Sequence, residues 1–235
     1  MMTENRFQVS IIIPVYNCRE YIAETLESVL EQSVPASEII VVDSSTDGTN
    51  GIIQKYSSHI RYVFQDKQGI GKARNQGIEL ARGNFFAHLD ADDVWEKEKL
   101  ALQQKAFYDN PDLDIVGTYM ESFYSPELPQ SIRNTIYCPP DPVPGFSAST
   151  IVVKREAFFR VGMYETHWKV GQDLNWFIRA REIGLKEGMI PEVLVRRRLH
   201  KTNTDRLNQQ YGGERLQILK ALLDRKRQKA KKQGI

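Results

Sequence analysis

Val9-Ser10-Ile11-Ile12-Ile13-Pro14-Val15-Tyr16-Asn17 is the stretch that sets the fold class. Val9 and Ile11 to Ile13 form a compact β-branched run, ended by Pro14 and followed by polar residues. An uninterrupted apolar run suits a strand covered on both faces, as the strands of parallel sheets are. Moving outward, Ile22, Leu26, Val29 and Leu30 fall at helical spacing. Ile39 to Val42 reads as a second buried strand, stopped by Asp43-Ser44-Ser45-Thr46-Asp47-Gly48. A helix to about Tyr56, a strand at Arg61 to Phe64, a helix marked by Ala73, Gly77, Leu80 and Ala81, and a strand at Phe85 to Leu89 complete the series. This alternation predicts an α/β fold with a mostly parallel central sheet flanked by helices. Such sheets bind ligands at the carboxyl ends of their strands. The polar clusters Pro14 to Asn17, Asp43 to Asp47 and Asp90 to Asp93 sit at those ends.

Beyond Asp93 the spacing predicts a helix from about Glu96 to Tyr108 and a strand near Ile115 to Phe123. Ser125 to Pro144 holds six of the ten prolines and is expected to be a loop, because proline cannot donate to a helix or a central strand. A strand at Ser149 to Val153, a helix at Asp173 to Ile183, a strand at Val193 to Leu199 and a helix from about Asp205 follow. No repeats are present. Residues 1–204 are expected to form one catalytic domain, with a nucleotide-binding half (1–95) and an acceptor-binding half (96–204), ahead of a C-terminal basic helix over 205–235.

A net charge of +2 gives no bulk argument for nucleic acid. Two cysteines, Cys18 and Cys138, imply no disulfide framework and suit a reducing compartment. Met1 to Gln8 is polar, and no run approaches the roughly 18 apolar residues that span a bilayer. A cytoplasmic chain is expected, with any membrane contact peripheral. Leu216, Leu219 and Leu223 precede Arg225-Lys226-Arg227, Lys229 and Lys231-Lys232. That tail reads either as an apolar stripe packed on the domain before a solvated terminus, or as a peripheral anchor for anionic head groups. Without interleaved aromatics it does not suit nucleic acid.

Asp90-Ala91-Asp92-Asp93 follows directly on the strand at Phe85 to Leu89. Three carboxylates in four residues repel one another unless a cation or positive site compensates. Mg2+ or Mn2+, held jointly with substrate phosphates, suits such oxygen donors. A competing role for Asp92 or Asp93 is to cap the helix near Glu96. Asp43 could accept a hydrogen bond from a base or ribose, or only shape a turn, and Asp47 suits a helix cap. Gly69-Ile70-Gly71-Lys72-Ala73-Arg74 lacks the third glycine of a dinucleotide fingerprint and does not follow the first strand, so that reading is rejected.

Together these segments resemble the family 2 glycosyltransferases, inverting enzymes of the GT-A fold. The similarity runs from about Val9 to Asn203. It rests on Val9 to Asn17, on Ile39 to Thr49, on Gly69 with Ala73-Arg74-Asn75-Gln76-Gly77, and on Leu89 to Asp93. The resemblance implies transfer of a sugar from a nucleotide diphosphate donor, expected to be UDP-linked, in cell-envelope polysaccharide synthesis. It places Pro14, Tyr16 and Asn17 in the nucleotide-sugar site, with Tyr16 stacking on the base and Asp43 hydrogen-bonding it. Arg74 would lie beside the nucleotide and Asp90 would bind the ribose or sugar side. Asp92 would coordinate a divalent metal, Mn2+ or Mg2+, bridging the phosphates.

Gly171-Gln172-Asp173-Leu174-Asn175-Trp176 is similar to the family's acidic motif, which makes Asp173 the general base on the acceptor hydroxyl. Asp173 could equally cap its helix, and Trp176 could line the acceptor site or fill the core. Arg198-Leu199-His200 with Asn203 resembles the late element that approaches the diphosphate, and His200 is a candidate metal ligand. Two departures stand out: the loop after Asp43 is one residue short, and Gln172 replaces a common acidic residue. The Pro-rich stretch is expected to border the cleft for a saccharide, lipid-linked or peptide acceptor. Two other functions fit less well. One is a nucleotide-sugar-binding module without catalysis; the other is a nucleotidyltransferase, which would need a Gly-rich basic loop after the first strand.

Overall fold

The architecture is that of a computed structural model, which describes residues 7–66, 69–145, 147–203 and 213–224. The first strand, β1 (Val9–Val15), is buried at every position, as its β-branched run requires. It alternates strictly: Ile11, Ile13 and Val15 enter one core, and Ile12 enters the other. The next strand, β2 (Glu38–Asp43), divides likewise, with Ile39 and Val41 on the first side and Ile40 and Val42 on the second. The sheet is therefore covered on both faces.

On the first face lie α1 (Ile22–Leu30), through Ile22, Leu26 and Val29, and α4 (Lys99–Asp109), through Leu100 and Phe107. On the second lie α3 (Ile70–Leu80), α6 (Arg155–Val161) and α7 (Gln172–Glu182). The short α2 (Thr49–Ile53) follows β2. Gly77 of α3 has a steric reason to be glycine: a Cβ there would come 2.3 Å from Ile12 Cγ2.

The remaining strands are β3 (Arg61–Phe64), β4 (Phe85–His88), β5 (Val94–Trp95), β6 (Ile115–Tyr124), β7 (Val143–Pro144), β8 (Val152–Lys154) and β9 (Glu187–Leu199). Their order is β3-β2-β1-β4-β8-β6-β9-β5, with β7 added to β6. β3, β2, β1 and β4 are mutually parallel, and β6 and β9 are parallel to each other. Both β4 and β6 run antiparallel to β8, so the carboxyl ends of β1, β2, β4, β6 and β9 face one edge. A single sheet thus spans both halves of the domain.

Pro14 does not end β1 but lies within it. The carbonyl of Ile12 accepts from Leu89 and that of Val15 from Ser44, so position 14 faces the β4 side, beyond the last residue of β4. No ladder bond is lost there. The Pro-rich stretch is likewise not all loop. It contains α5 (Gln130–Arg133), entered from Pro129, and the two-residue β7. Proline is tolerated just ahead of a first helical turn and in short peripheral strands. α4 begins three residues later than expected, because Val94 and Trp95 pair with Arg196 and Val195 first. β9 begins earlier, at Glu187, carrying Pro191 past a register shift against β6.

Residues 213–224 are helical, but Leu216, Leu219 and Leu223 are exposed, so the stripe does not pack on the domain. The basic residues from Arg225 onward lie outside the described residues. Among the described residues no helix is long and apolar enough to cross a membrane.

Candidate active site

The site forms where strands with the same direction release their chains at one edge. After β1, Tyr16 is 47% exposed, and Asn17 adopts a left-handed φ of 50°, which asparagine tolerates. The Asn17 side-chain oxygen accepts from Thr46 N at 2.8 Å, and its own N–H donates to Ser45 Oγ at 2.8 Å. The loop after β1 and the loop after β2 are thereby one unit. Gly48, not Asp47, is the N-cap of α2; Asp47 forms an Asx turn just ahead of it, its Oδ1 accepting from Thr49 N at 3.0 Å and from the Thr49 hydroxyl.

Asp43 is wholly buried. Ser45 N donates to its Oδ1 at 2.9 Å and Tyr62 OH to its Oδ2 at 3.0 Å. Its carboxylate shapes the short loop, and no exposed oxygen is left for the expected base contact. Tyr16, just across the same edge, keeps an open aromatic face.

The three carboxylates after β4 do not converge. Asp90 takes a 2.8 Å salt bridge from Arg74 Nη2, and its N–H bonds Ser149 Oγ at 3.2 Å. Asp92 Oδ2 lies 2.8 Å from His200 Nε2 and accepts from Asn203 Nδ2 at 3.3 Å. Asp93 turns inward, accepting from Ser149 Oγ at 3.0 Å and from Arg198 N at 3.2 Å. Burial, reinforced by the Asp92 and Asp90 charges, holds the Asp93 carboxyl well above the ordinary carboxylate range. Neither Asp92 nor Asp93 caps α4. The segment is fixed from α1, where the Thr25 hydroxyl bonds the carbonyls of Ala91 and Asp93 at 3.0 and 2.9 Å.

Two basic residues expected at the nucleotide are instead committed inside. Arg74 is 2% exposed and serves Asp90 from below. Arg198 is 4% exposed; its Nε donates to Asp92 O at 3.1 Å, Nη2 pairs with Glu24, and its guanidinium lies between the rings of Tyr21 and Phe123. It braces the acidic turn rather than facing a diphosphate. The His200 ring lies 4.5 Å from that of Tyr21, tilted by 42°, and its Nδ1 is 3.0 Å from Thr202 Oγ1.

Asp173 lies in the first turn of α7, after Gly171 in a left-handed conformation (φ 76°). Among the described residues it bonds only the next residue's N–H, at 2.9 Å, and it caps no helix end. With Leu174, Phe177, Ile178 and Arg215 it lines a cleft of about 340 Å3. Burial pushes the Asp90 carboxyl upward, against the pull of Arg74, and the charges of Asp92 and Asp173 add to the rise. Trp176 is wholly buried, stacked on Phe158 at 5.1 Å, with Nε1 donating to Gly162 O at 2.9 Å. It fills the core and cannot reach an acceptor.

The Pro-rich stretch is tied to this edge. Tyr21 OH donates to Glu127 at 2.7 Å, and Ser125 N bonds Leu199 O at 2.9 Å. Around α5 it encloses an open cleft of about 520 Å3, lined by Tyr124, Arg133, Tyr137 and Cys138 among others.

Among the described residues no three His, Cys, Asp or Glu side chains gather on one point. Mg2+ and Mn2+ need fewer protein donors than that when substrate phosphates complete the shell. The Asp92 and His200 pair fits that requirement. The Thr202 N–H donates to His200 Nδ1 at 3.3 Å, which puts the imidazole proton on Nε2 toward Asp92; to hold an ion through Nε2 that proton would have to leave or move to Nδ1, where the Thr202 hydroxyl could accept it. Sequence reasoning missed Ser149, Thr25 and Tyr21. Their signal is weak, since each is a single polar or aromatic residue outside any motif.

Residues 10–168 match the family described as Glycosyl transferase family 2. A relative in Bacillus subtilis (strain 168), the putative teichuronic acid biosynthesis glycosyltransferase TuaG, is 45% identical over 108 residues, 43% of this chain and 42% of that protein. The chain thus spans less than half the length of that relative. Among solved structures, S. aureus TarS 1-349 in complex with UDP-GlcNAc superposes with a TM-score of 0.68 at 23% identity, over 83% of this chain and 60% of that one. The mannosyltransferase PcManGT from Pyrobaculum calidifontis, in complex with GDP-Man and Mn2+, gives 0.65 at 24% identity, over 83% and 58%. Both likenesses bear on the fold, which is that of the GT-A glycosyltransferases.

Proposed function

This chain belongs to glycosyl transferase family 2, and we propose that it transfers a sugar, with inversion, from a nucleotide diphosphate donor to an acceptor hydroxyl. A UDP-linked donor is the working choice, supported by the UDP-GlcNAc complex of TarS. The teichuronic acid assignment of TuaG supports a place in cell-envelope polysaccharide synthesis.

The observation that carries the proposal is the seating of the first turn of α7, which bears Asp173, against α3: a Cβ at Gly71 would lie 3.4 Å from Gln172 Cγ, and one turn further along α3 Arg74 holds Asp90 at 2.8 Å. The donor lies on the β1, β2 and β4 loops, its base on the exposed Tyr16 ring and its sugar toward the half-buried Asp90. Asp92 and His200 would hold Mn2+ or Mg2+ together with the donor phosphates. When bound, the ion supplies positive charge against the negative charge growing on the leaving diphosphate.

Asp173 accepts the proton of the acceptor hydroxyl. The acceptor oxygen forms a bond to the anomeric carbon as the bond to the diphosphate oxygen breaks on the opposite face. The nucleoside diphosphate departs with the bonding electron pair. Arg74 and Arg198 act behind this surface: one orients Asp90, the other braces the turn that carries Asp92. The Pro-rich stretch, joined to the site through Tyr21 and Ser125, selects the acceptor. Grafting it from a relative without changing acceptor choice would sink that part of the proposal. Peripheral contact with a membrane through the C-terminal helix belongs to the same reading.

The Asp173→Ala variant tests the proposal. Turnover should vanish while donor binding is retained; full turnover in the variant would exclude Asp173 as the base. Equal donor binding with no turnover in the unaltered chain would instead favour a binding module.

A further inference from the structure

The helix over 213–224 is joined to the site on one face and exposes three leucines on the other. Glu214 Oε2 accepts from the backbone N–H groups of Lys169 at 2.7 Å and Val170 at 3.0 Å. Ile218 is wholly buried, and a Cβ at Gly171 would come 3.0 Å from its Cδ1. Arg215, between these two anchors, lines the Asp173 cleft. At roughly 100° per residue, positions 214 and 218 share one side of the helix. Leu216, Leu219 and Leu223 fall together on the opposite side, where they are 69%, 44% and 53% exposed.

We propose that this outward leucine stripe seats the protein on an anionic lipid surface, so that the Asp173 cleft meets an acceptor carried by a lipid. The occupant is argued from charge. After Leu223 and a single Asp224 the sequence runs Arg225-Lys226-Arg227-Gln228-Lys229-Ala230-Lys231-Lys232, with six basic residues and no acidic one from Arg225 through Ile235. An apolar stripe beside such a run matches the two signals that peripheral binding needs, acyl-level burial and attraction to anionic head groups. A soluble apolar partner would engage the leucines but would have no use for six clustered cations.

Attachment of the helix through Glu214 and Ile218 fixes the side of the domain that faces the lipid. That side bears Gly171 and Asp173, so an acceptor hydroxyl on a lipid-borne saccharide can reach the base without leaving the surface. The lipid-surface claim stands on the helix alone. The acceptor claim rests on Asp173 serving as the base.

The test uses the full chain and a L216E/L219E/L223E variant, sedimented with vesicles of phosphatidylcholine alone or mixed with phosphatidylglycerol. The unaltered chain should sediment with the anionic vesicles only and be released by high salt. The variant should lose more than about tenfold in affinity, while its acceptor-free donor hydrolysis stays unchanged. Failure to sediment with anionic vesicles overturns the proposal, as does equal sedimentation of the variant. Self-association abolished by the same substitutions would also overturn it, by giving the stripe to a second copy. Absence of donor hydrolysis in both proteins would count against the transferase reading alone, because the vesicle result does not depend on it.

Discussion

His200 Nε2 stands 2.8 Å from Asp92 Oδ2, although 108 residues separate them in sequence. The contact joins the exit of β9 to the exit of β4, and Asn203 completes it by donating to the same carboxylate oxygen. The His200→Ala variant should therefore weaken Mn2+-dependent binding of a nucleoside diphosphate by about 10–100-fold. Metal-free binding should change little. Calorimetric titration with and without Mn2+ separates the two, and an unchanged affinity with metal would remove His200 from the ion's shell.

Lys99 supplies a prediction about pH. It is wholly buried, donates to Gln103 Oε1 at 2.7 Å, lies 4.0 Å from the centre of the Trp95 ring, and has no carboxylate partner among the described residues. Burial holds its ammonium well below the ordinary lysine range. Between that lowered folded value and the ordinary value near 10.5, the unfolded chain binds one more proton than the folded one. Stability should then rise with pH across the window, by up to about 1.4 kcal/mol per pH unit from this group. Lys99→Met should flatten that slope. Denaturant unfolding of both proteins over a pH series checks it, and parallel curves would show that Lys99 is charged in the fold.

Trp176 should behave as a core residue. Trp176→Phe forfeits the bond to Gly162 O and some volume against Phe158, and should cost about 1–3 kcal/mol of stability. The KM for any acceptor should not move. A raised acceptor KM at unchanged stability would restore the acceptor role expected from the motif.

Gly171 is required by its backbone and its neighbour. Its φ of 76° favours glycine, and Ile218 Cδ1 would be 3.0 Å from an added Cβ. Gly171→Ala should lose about 1–2 kcal/mol from the backbone alone and loosen the seat of Ile218. Thermal unfolding with hydrogen exchange at residues 213–224 reads both effects. No loss of protection there would show that the helix is held by Glu214 alone.

The parts that were legible in the sequence are those governed by local pattern. The β-branched runs of β1 and β2 read as strands buried on both faces, and Asp47 before Thr49 makes the local turn that leads into α2. Less legible features depend on partners far away. Lys99 sits in a helix where a lysine reads as surface, until β6 and the Ser149 segment close over it. Arg74 and Arg198 are expected beside the nucleotide and its diphosphate, yet Asp90 pairs with the first, and Glu24 and Tyr21 engage the second. Asp43 ends its strand as expected, but Ser45 and Tyr62, the latter on another strand, bond its two oxygens inside the fold. The leucines of 213–224 show helical spacing, which does not tell a packed face from an open one.

The most direct test of the account is release of nucleoside diphosphate by the full chain from a panel of nucleotide sugars, with Mn2+, Mg2+ or EDTA. The account predicts slow release from one donor class, dependent on the divalent ion and abolished by Asp92→Ala. Neither binding nor release for any donor, with or without metal, would contradict it and leave the carboxylate edge as a scaffold without transfer chemistry.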